Sequence, residues 1–247
     1  MWKSKIGGVD MKIIKPYFTI EDELDGEKIL QKIEKAGRTC YKSEAKTDKD
    51  SAKSFVEKIL ILGHHSVLEH EKVTVRVVCD RGVSHEIVRH RIASYSQEST
   101  RYCNYSKDGF NNEITIILPC WFYEFFPETE ILGINMHVHG FYRKQMNSNY
   151  ETWTDKIRSF MRWYEACKYA EGRYFDMLDA KSTPQEARSV LPNSLKTEII
   201  MTMNLREWRH FFKLRTSSAA HPQMREIAIP ILRVFQSNIP IIFDDIV

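Results

Sequence analysis

The densest run of chemically capable side chains is Arg89-His90-Arg91-Ile92-Ala93-Ser94-Tyr95-Ser96-Gln97-Glu98-Ser99-Thr100-Arg101-Tyr102. Three cationic or titratable groups stand side by side, a hydroxyl-rich stretch follows, and Arg101 closes it. A guanidinium is a planar fork matched to phosphate oxygens, and hydroxyls supply the short donors that complete an oxyanion's shell. The run therefore reads as a loop able to hold one or two phosphate groups. A plainer reading is that Arg89, His90 and Arg91 sit near a helix C-terminus and only offset its dipole.

Other groupings suggest other chemistry. Ser99 with His90 as its base would make a nucleophile, although nothing local brings the two together. Cys120 follows Pro119 at the end of an apolar stretch, where a cysteine usually serves as a small buried hydrophobe. His64, His65, Glu69 and His70 cluster, and His137 and His139 stand two apart, but neither spacing fits HExxH or a cysteine zinc site, so no metal is expected. Arg81, Arg89, Arg91 and Arg101 interleave with Tyr95, Tyr102 and Tyr105, as basic and stacking groups do in single-strand-binding modules. Against a nucleic-acid module, 36 Lys and Arg barely exceed 33 Asp and Glu, too small a margin for non-specific backbone binding.

The elements that must position these residues follow from periodicity. After a loose extension over 1–10, residues 11–20 are apolar and β-branched enough for a first strand. Ile29, Leu30 and Ile33 mark a helix from Gly26 that should stop at Gly37, and Phe55, Ile59 and Leu62 mark a second from Ser51 to Leu62. Lys72 to Asp80 alternates with a period of two, a half-buried strand, and a helix over 82–90 leads into the arginine run. Short strands are expected over 114–118 and 195–203. Between them, Trp153, Ile157, Phe160, Tyr164, Cys167, Tyr174 and Leu178 recur at helical spacing, an aromatic stripe that reads as core. Met224, Ile227, Ile231 and Phe235 mark a last helix over 223–238. This predicts one α+β domain over 1–247, a central, mostly antiparallel sheet flanked by helices.

Composition agrees with a globular chain: 43% of the 247 residues are hydrophobic and 28% charged. No apolar run approaches the ~18 residues of a membrane span, and no apolar leader follows Met1, so a cytoplasmic protein without membrane partners is expected. The five cysteines, odd in number and widely spaced, suggest reduced thiols. None of the 10 glycines forms a GxGxxG, so a dinucleotide fold is not indicated.

Read as RHRxxSxxxxSxR, the arginine run resembles the signature of the flavin-dependent thymidylate synthases at Arg89, His90, Arg91, Ser94, Ser99 and Arg101. The resemblance extends upstream to His64-His65-Ser66-Val67-Leu68-Glu69-His70. Downstream it takes in Glu186 to Pro192, Asn204-Leu205-Arg206, Leu214-Arg215 and His221-Pro222-Gln223. It implies FAD held by Ser66, Arg89, His90, Arg91, Gln97, Asn204, Arg206, His210 and His221. It likewise implies dUMP held by Glu86, Arg89, Gln97, Ser99, Thr100, Arg101, Arg188 and Arg215, with Arg215 the catalytic residue that stabilises charge on the uracil ring. The reaction implied is reductive methylation of dUMP to dTMP, with methylenetetrahydrofolate as one-carbon donor, NADPH as reductant and no covalent enzyme nucleophile. The assembly implied is an obligate homotetramer with active sites shared between subunits. This chain departs from the family's pattern at Glu86, where glutamine is frequent, at Ser96 and His210, where asparagine is seen, and by two extra small residues between Arg215 and His221.

Overall fold

A computed structural model describes residues 11–110, 113–126 and 134–247. In chain order its elements are β1 (Lys12–Ile14), β2 (Tyr17–Ile20), α1 (Gly26–Tyr41), α2 (Ser51–Ile61), β3 (Lys72–Asp80), α3 (Arg81–Ile87) and β4 (Ala93–Gln97). Then come β5 (Thr115–Ile117), α4 (Ile134–Met146), α5 (Asp155–Asp179), α6 (Pro184–Ala187), β6 (Lys196–Asn204), α7 (Leu205–Arg215) and α8 (Pro222–Asn238). An antiparallel sheet has the order β2-β3-β6-β4 and is flanked by helices, and a separate pair, β1 and β5, is parallel. The mixed helix and sheet expected from the sequence is present, with that parallel pair as the exception to antiparallel pairing.

Two compact units share the chain. The first takes residues to Pro16, Val78–Ser84 and Gln97–Glu198. Its core is the stripe of α5, where Phe160, Tyr164, Cys167 and Tyr174 are buried with Ile13 of β1 and Ile116 of β5. Burying each such side chain stabilises the fold by roughly 1.5–3 kcal/mol. Thr154 caps α5 by accepting from the Ile157 amide. His139 on α4 is pinned inside: its Nε2 faces the Met11 carbonyl at 2.9 Å and its Nδ1 the Tyr164 hydroxyl. A carbonyl only accepts, so the ring donates from Nε2 and accepts at Nδ1.

The second unit takes Tyr17–Val77, His85–Ser96 and Ile199–Val247. Val73, Val75, Ile199, Met201 and Met203 alternate inward on β3 and β6, as their period of two predicts. Trp208, Phe211 and Phe212 of α7 and Phe235 of α8 are fully buried with Phe243 in one edge-and-face aromatic cluster. The Trp208 indole donates to the Val73 carbonyl at 3.0 Å, which ties α7 to β3.

Several expectations are corrected. The strand over 11–20 is two strands in two sheets, because Pro16 has no amide to donate and breaks the ladder between them. The helix from Gly26 does not stop at Gly37; it runs to Tyr41 and is capped by Lys42 in the left-handed conformation. The helix over 82–90 ends at Ile87, and 93–97 is a strand, not a loop. Its alternation places Tyr95 and Gln97 partly inward and Ser94 and Ser96 outward, a pattern with too few apolar residues to show a hydrophobic period. Helices α4 and α7 were not anticipated. The strand over 72–80 and the helices near 51–62, 153–178 and 223–238 lie where expected. The 1–10 extension lies outside the described residues.

Gly37 marks a close approach between α1 and α2. A Cβ there would lie 2.6 Å from Cε1 and 2.8 Å from Cζ of Phe55. Alanine favours helix over glycine by roughly 1 kcal/mol, whereas overpacking of this kind costs about 1–3 kcal/mol. Gly37→Ala is therefore expected to lower the melting temperature, and to do so no longer in a Phe55→Ala background; equal melting of Gly37→Ala and the parent would show that the two helices part freely.

Candidate active site

In the second unit, the chain leaves α3 at Ile87, turns through Val88, Arg89 and His90, and enters β4. Tyr95 fixes the turn: its hydroxyl lies 2.9 Å from the Ile87 carbonyl and 2.7 Å from the His90 carbonyl. Burial, with the Glu207 carboxylate adding to it, pushes the Tyr95 phenol up to about 12, so it stays a donor. The turn points His90 inward, only 4% exposed, and leaves Arg89 and Arg91 exposed on either side.

Both ring nitrogens of His90 are occupied. The Arg215 Nε donates to His90 Nε2 at 3.1 Å. A guanidinium N–H only donates, so Nε2 must accept and the ring proton sits on Nδ1, 3.1 Å from Glu207 Oε1. Burial holds the His90 imidazolium pKa below its usual value; the Glu207 hydrogen bond opposes that shift and the Arg215 charge reinforces it. The ring is therefore a neutral imidazole bridging a carboxylate and a guanidinium.

The rest of Arg215 is held by Glu86. Its NH1 donates to Glu86 Oε2 at 2.8 Å and its NH2 to the Glu86 carbonyl at 2.9 Å. His221 Nδ1 lies 3.7 Å from the other Glu86 oxygen. His210 presents its ring to His90 edge-on, with centroids 5.5 Å apart. Asn204 caps α7 by accepting from the Glu207 amide at 2.8 Å, which uses its carbonyl and leaves its amide nitrogen. Arg206 pairs with Glu69 at 2.6 Å on the surface, and Ser66 is exposed in the 3-10 turn His65–His70.

A second polar group lies in the first unit. Thr100 is buried and accepts from Arg188 NH1 at 3.2 Å, while Arg101 donates through Nε to Gln185 at 3.1 Å and stacks over Tyr102. Ser99 Oγ accepts from the Arg101 amide. Gln97 turns its amide nitrogen toward Ser84 Oγ and Thr197 Oγ1, at 2.9 and 3.2 Å. Glu98 takes Lys196 at 2.7 Å and the Tyr105 hydroxyl at 3.1 Å. Burial pulls the Lys196 pKa down, but the Glu98 and Glu198 carboxylates outweigh it and hold it above the usual value.

Within each unit, then, the structure gathers residues that are remote in sequence. Glu86, His90, Arg215 and His221 meet in one unit, and Thr100 with Arg188 and Arg101 with Gln185 in the other. Glu207 and Gln185 had not been singled out, and Tyr95 only as a stacking group. Asn204 followed three residues later by Glu207 is a helix-start signal, but it reads as a cap and gives no hint that the carboxylate serves a histidine.

The competing chemistries find less support. His90 faces Glu207 and Arg215 rather than a serine, so it is not placed as a base for Ser99. His64 bonds the Tyr41 hydroxyl and His139 is part of the core. His90, Glu207 and His210 place possible metal ligands within 4.8 Å of one another. A cation on His90 Nδ1 would move the ring proton to Nε2, against the Arg215 N–H, so that site and the observed hydrogen bond exclude each other. The five cysteines are free thiols.

The second unit thus carries an inward histidine flanked by outward arginines. A model of the family described as Thymidylate synthase complementing protein matches residues 25–241. A flavin-dependent thymidylate synthase of Geobacter sulfurreducens is 34% identical over 218 residues, covering 85% of this chain and 78% of that protein. One of Mycobacterium sp. (strain KMS) is 33% identical over 90% of this chain and 82% of its own, and one of Corynebacterium aurimucosum 31% over 86% and 78%. The chain belongs to the flavin-dependent thymidylate synthase family.

Because burial depresses the His90 pKa, the unfolded chain binds a proton there at a higher pH than the native one. The stability this contributes is complete above the unfolded value of about 6.5 and is lost as pH falls below it. Thermal melts from pH 7.5 to 5 should show that slope in the parent and a smaller one in His90→Gln; identical slopes would place the acid sensitivity elsewhere.

Proposed function

We propose that this chain converts dUMP to dTMP by reductive methylation, with FAD as bound cofactor, methylenetetrahydrofolate as one-carbon donor and NADPH as reductant, in a cytoplasmic homotetramer with active sites shared between subunits. The observation that carries the reading is the pair Arg89 and Arg91. Both are exposed, and neither side chain has a hydrogen bond or ion pair with another described residue, so both can meet a pyrophosphate dianion without breaking a native contact. Ser66, Asn204, Arg206, His210, His221 and Gln97 supply hydroxyl, amide, guanidinium and ring donors suited to the rest of FAD. When bound, the flavin supplies the hydride that completes the methyl group.

The protein's part is position and field. Ser99, Thr100, Arg101 and Arg188 suit the phosphate of dUMP, and Glu86 and Gln97 suit its sugar and base. Arg215 uses three guanidinium N–H groups on His90 and Glu86 and retains two of its five for a ligand. Those two donors, at a side chain only 14% exposed, can stabilise negative charge on a uracil ring whose imide proton has left. No protein nucleophile is needed, in keeping with a His90 that activates no serine.

The nucleic-acid reading is weaker than its sequence pattern suggested. Tyr105 is 4% exposed, the Tyr95 hydroxyl is turned onto backbone carbonyls, and Arg81 reaches the Glu98 carbonyl and Thr197, so of the three tyrosines Tyr102 alone is exposed for stacking. Among the described residues no helix is long and apolar enough to cross a membrane.

The test is an absorption spectrum after adding FAD, followed by anaerobic NADPH with and without dUMP and methylenetetrahydrofolate. Bound flavin that is bleached by NADPH and reoxidised with dTMP formed only when both substrates are present is the expected result. Absence of flavin binding, with salt-sensitive binding of single-stranded DNA, would favour the module. Arg215→Ala is expected to bind FAD like the parent and lose dTMP formation; near-parental turnover would remove Arg215 from the chemistry. Arg101→Ala should weaken dUMP binding about 10- to 100-fold, the loss of one charged hydrogen bond of roughly 1.5–3 kcal/mol, which calorimetry with dUMP can read.

A further inference from the structure

Among the described residues, Glu207 is the one buried carboxylate in contact with the site that the proposed reaction does not use. It is 8% exposed, at the third position of α7, where a glutamate commonly reaches back to cap its own helix. Here Asn204 caps the Glu207 amide while the Glu207 carboxylate goes to His90 Nδ1. We propose that Glu207 is a positioning residue: by fixing the tautomer and tilt of His90, it sets the aim of the Arg215 guanidinium.

The geometry requires this order of dependence. A neutral imidazole has two tautomers, and only the one with hydrogen on Nδ1 offers Nε2 as an acceptor to Arg215. A carboxylate is acceptor-only, so Glu207 selects that tautomer. Without it the ring proton can occupy Nε2, where it faces the Arg215 N–H and leaves both donors without an acceptor. Among the described residues, the groups around the ring add no second acceptor at Nδ1: His210 and Phe211 meet His90 edge-on, and Tyr95 donates to backbone. Glu86 holds the far side of Arg215 through NH1 and NH2, so losing the Nε contact would let the fork pivot about Glu86 rather than leave. What the aimed guanidinium accomplishes rests on the proposed function; that it is aimed by Glu207 does not.

The test compares the parent with Glu207→Gln and Glu207→Ala as full-length protein. Long-range nitrogen-proton correlation on histidine-labelled protein at neutral pH, with the His90 signal assigned by its loss in His90→Gln, reads the tautomer without substrate. The expected result is hydrogen on Nδ1 in the parent and in Glu207→Gln, whose amide oxygen still accepts, and mixed tautomers in Glu207→Ala. Turnover should follow the tautomer: near-parental kcat in Glu207→Gln, and a fall of about 100-fold in Glu207→Ala, as misplacement of a catalytic group causes. KM for dUMP should change much less, and flavin absorbance not at all. A parent ring protonated on Nε2, or Glu207→Ala with parental kcat, would overturn the proposal. So would Glu207→Gln losing as much kcat as Glu207→Ala with its tautomer intact, because charge and not position would then be at work. If Glu207→Ala fails to fold, the parent and Glu207→Gln spectra decide. A parent with the expected tautomer but no dTMP formation would refute the proposed function and leave the positioning role standing.

Discussion

One buried imidazole with no freedom of protonation ties the candidate site to the fold. His90 accepts from a guanidinium on one side and donates to a carboxylate on the other, so its charge, tautomer and tilt are set together. Each of its neighbours depends on the arrangement. A buried carboxylate left without its donor would carry uncompensated charge, which costs several kcal/mol, and the Arg215 Nε–H would lose its acceptor. The turn from Ile87 to Ala93 is therefore held to α7 by polar contacts that fail together, and Arg89 and Arg91 face outward because the residue between them cannot.

This clamp works only if α7 is immobile, which its apolar face ensures. Trp208, Phe211 and Phe212 project from the side of α7 that packs against α8 and β3, and the Trp208 indole is spent on the Val73 carbonyl. Glu207 and His210 share the helix with this cluster and so have no more play than the aromatics allow. Arg209 adds a second anchor through a bidentate pair with Asp245, whose pKa the Arg209 hydrogen bonds hold below the usual carboxylate value. A site built on a helix fixed in this way keeps its side chains more closely placed than one on a loop.

How much of this was legible depended on which forces left a periodic trace. The alternation of Val73, Val75 and Val77, and that of Ile199, Met201 and Met203, showed as strands because one face of each is buried. The aromatic spacing of α5 showed as a helix for the same reason. β4 did not show, because its inward residues are Tyr95 and Gln97, placed by hydrogen bonds that no hydropathy period records. Gly37 misled because a glycine that permits close helix packing looks like one that ends a helix. The arginine run was legible by its motif, but the partners that make it a site were not: Glu207 lies 117 residues from His90 and Arg215 lies 129 from Glu86, separations that only the fold closes.

Glu86 shows how such a pairing can shape chemistry. A glutamine at this position would offer Arg215 one neutral acceptor; the carboxylate offers a charged one, with its second oxygen facing His221. The carboxylate thus compensates a guanidinium that burial would otherwise penalise, and holds it in place before any ligand arrives. The same negative charge offsets the long-range pull that Arg215 alone would exert on an anion, since opposite charges in contact cancel beyond a few ångströms. On the proposed function, attraction of phosphate-bearing ligands then falls to the exposed Arg89, Arg91 and Arg101, whereas Arg215 acts at hydrogen-bond range through the two N–H groups that Glu86 and His90 leave it. Capture of the anion and stabilisation of its developing charge rest, on that function, on different arginines, and Glu86 is what separates them.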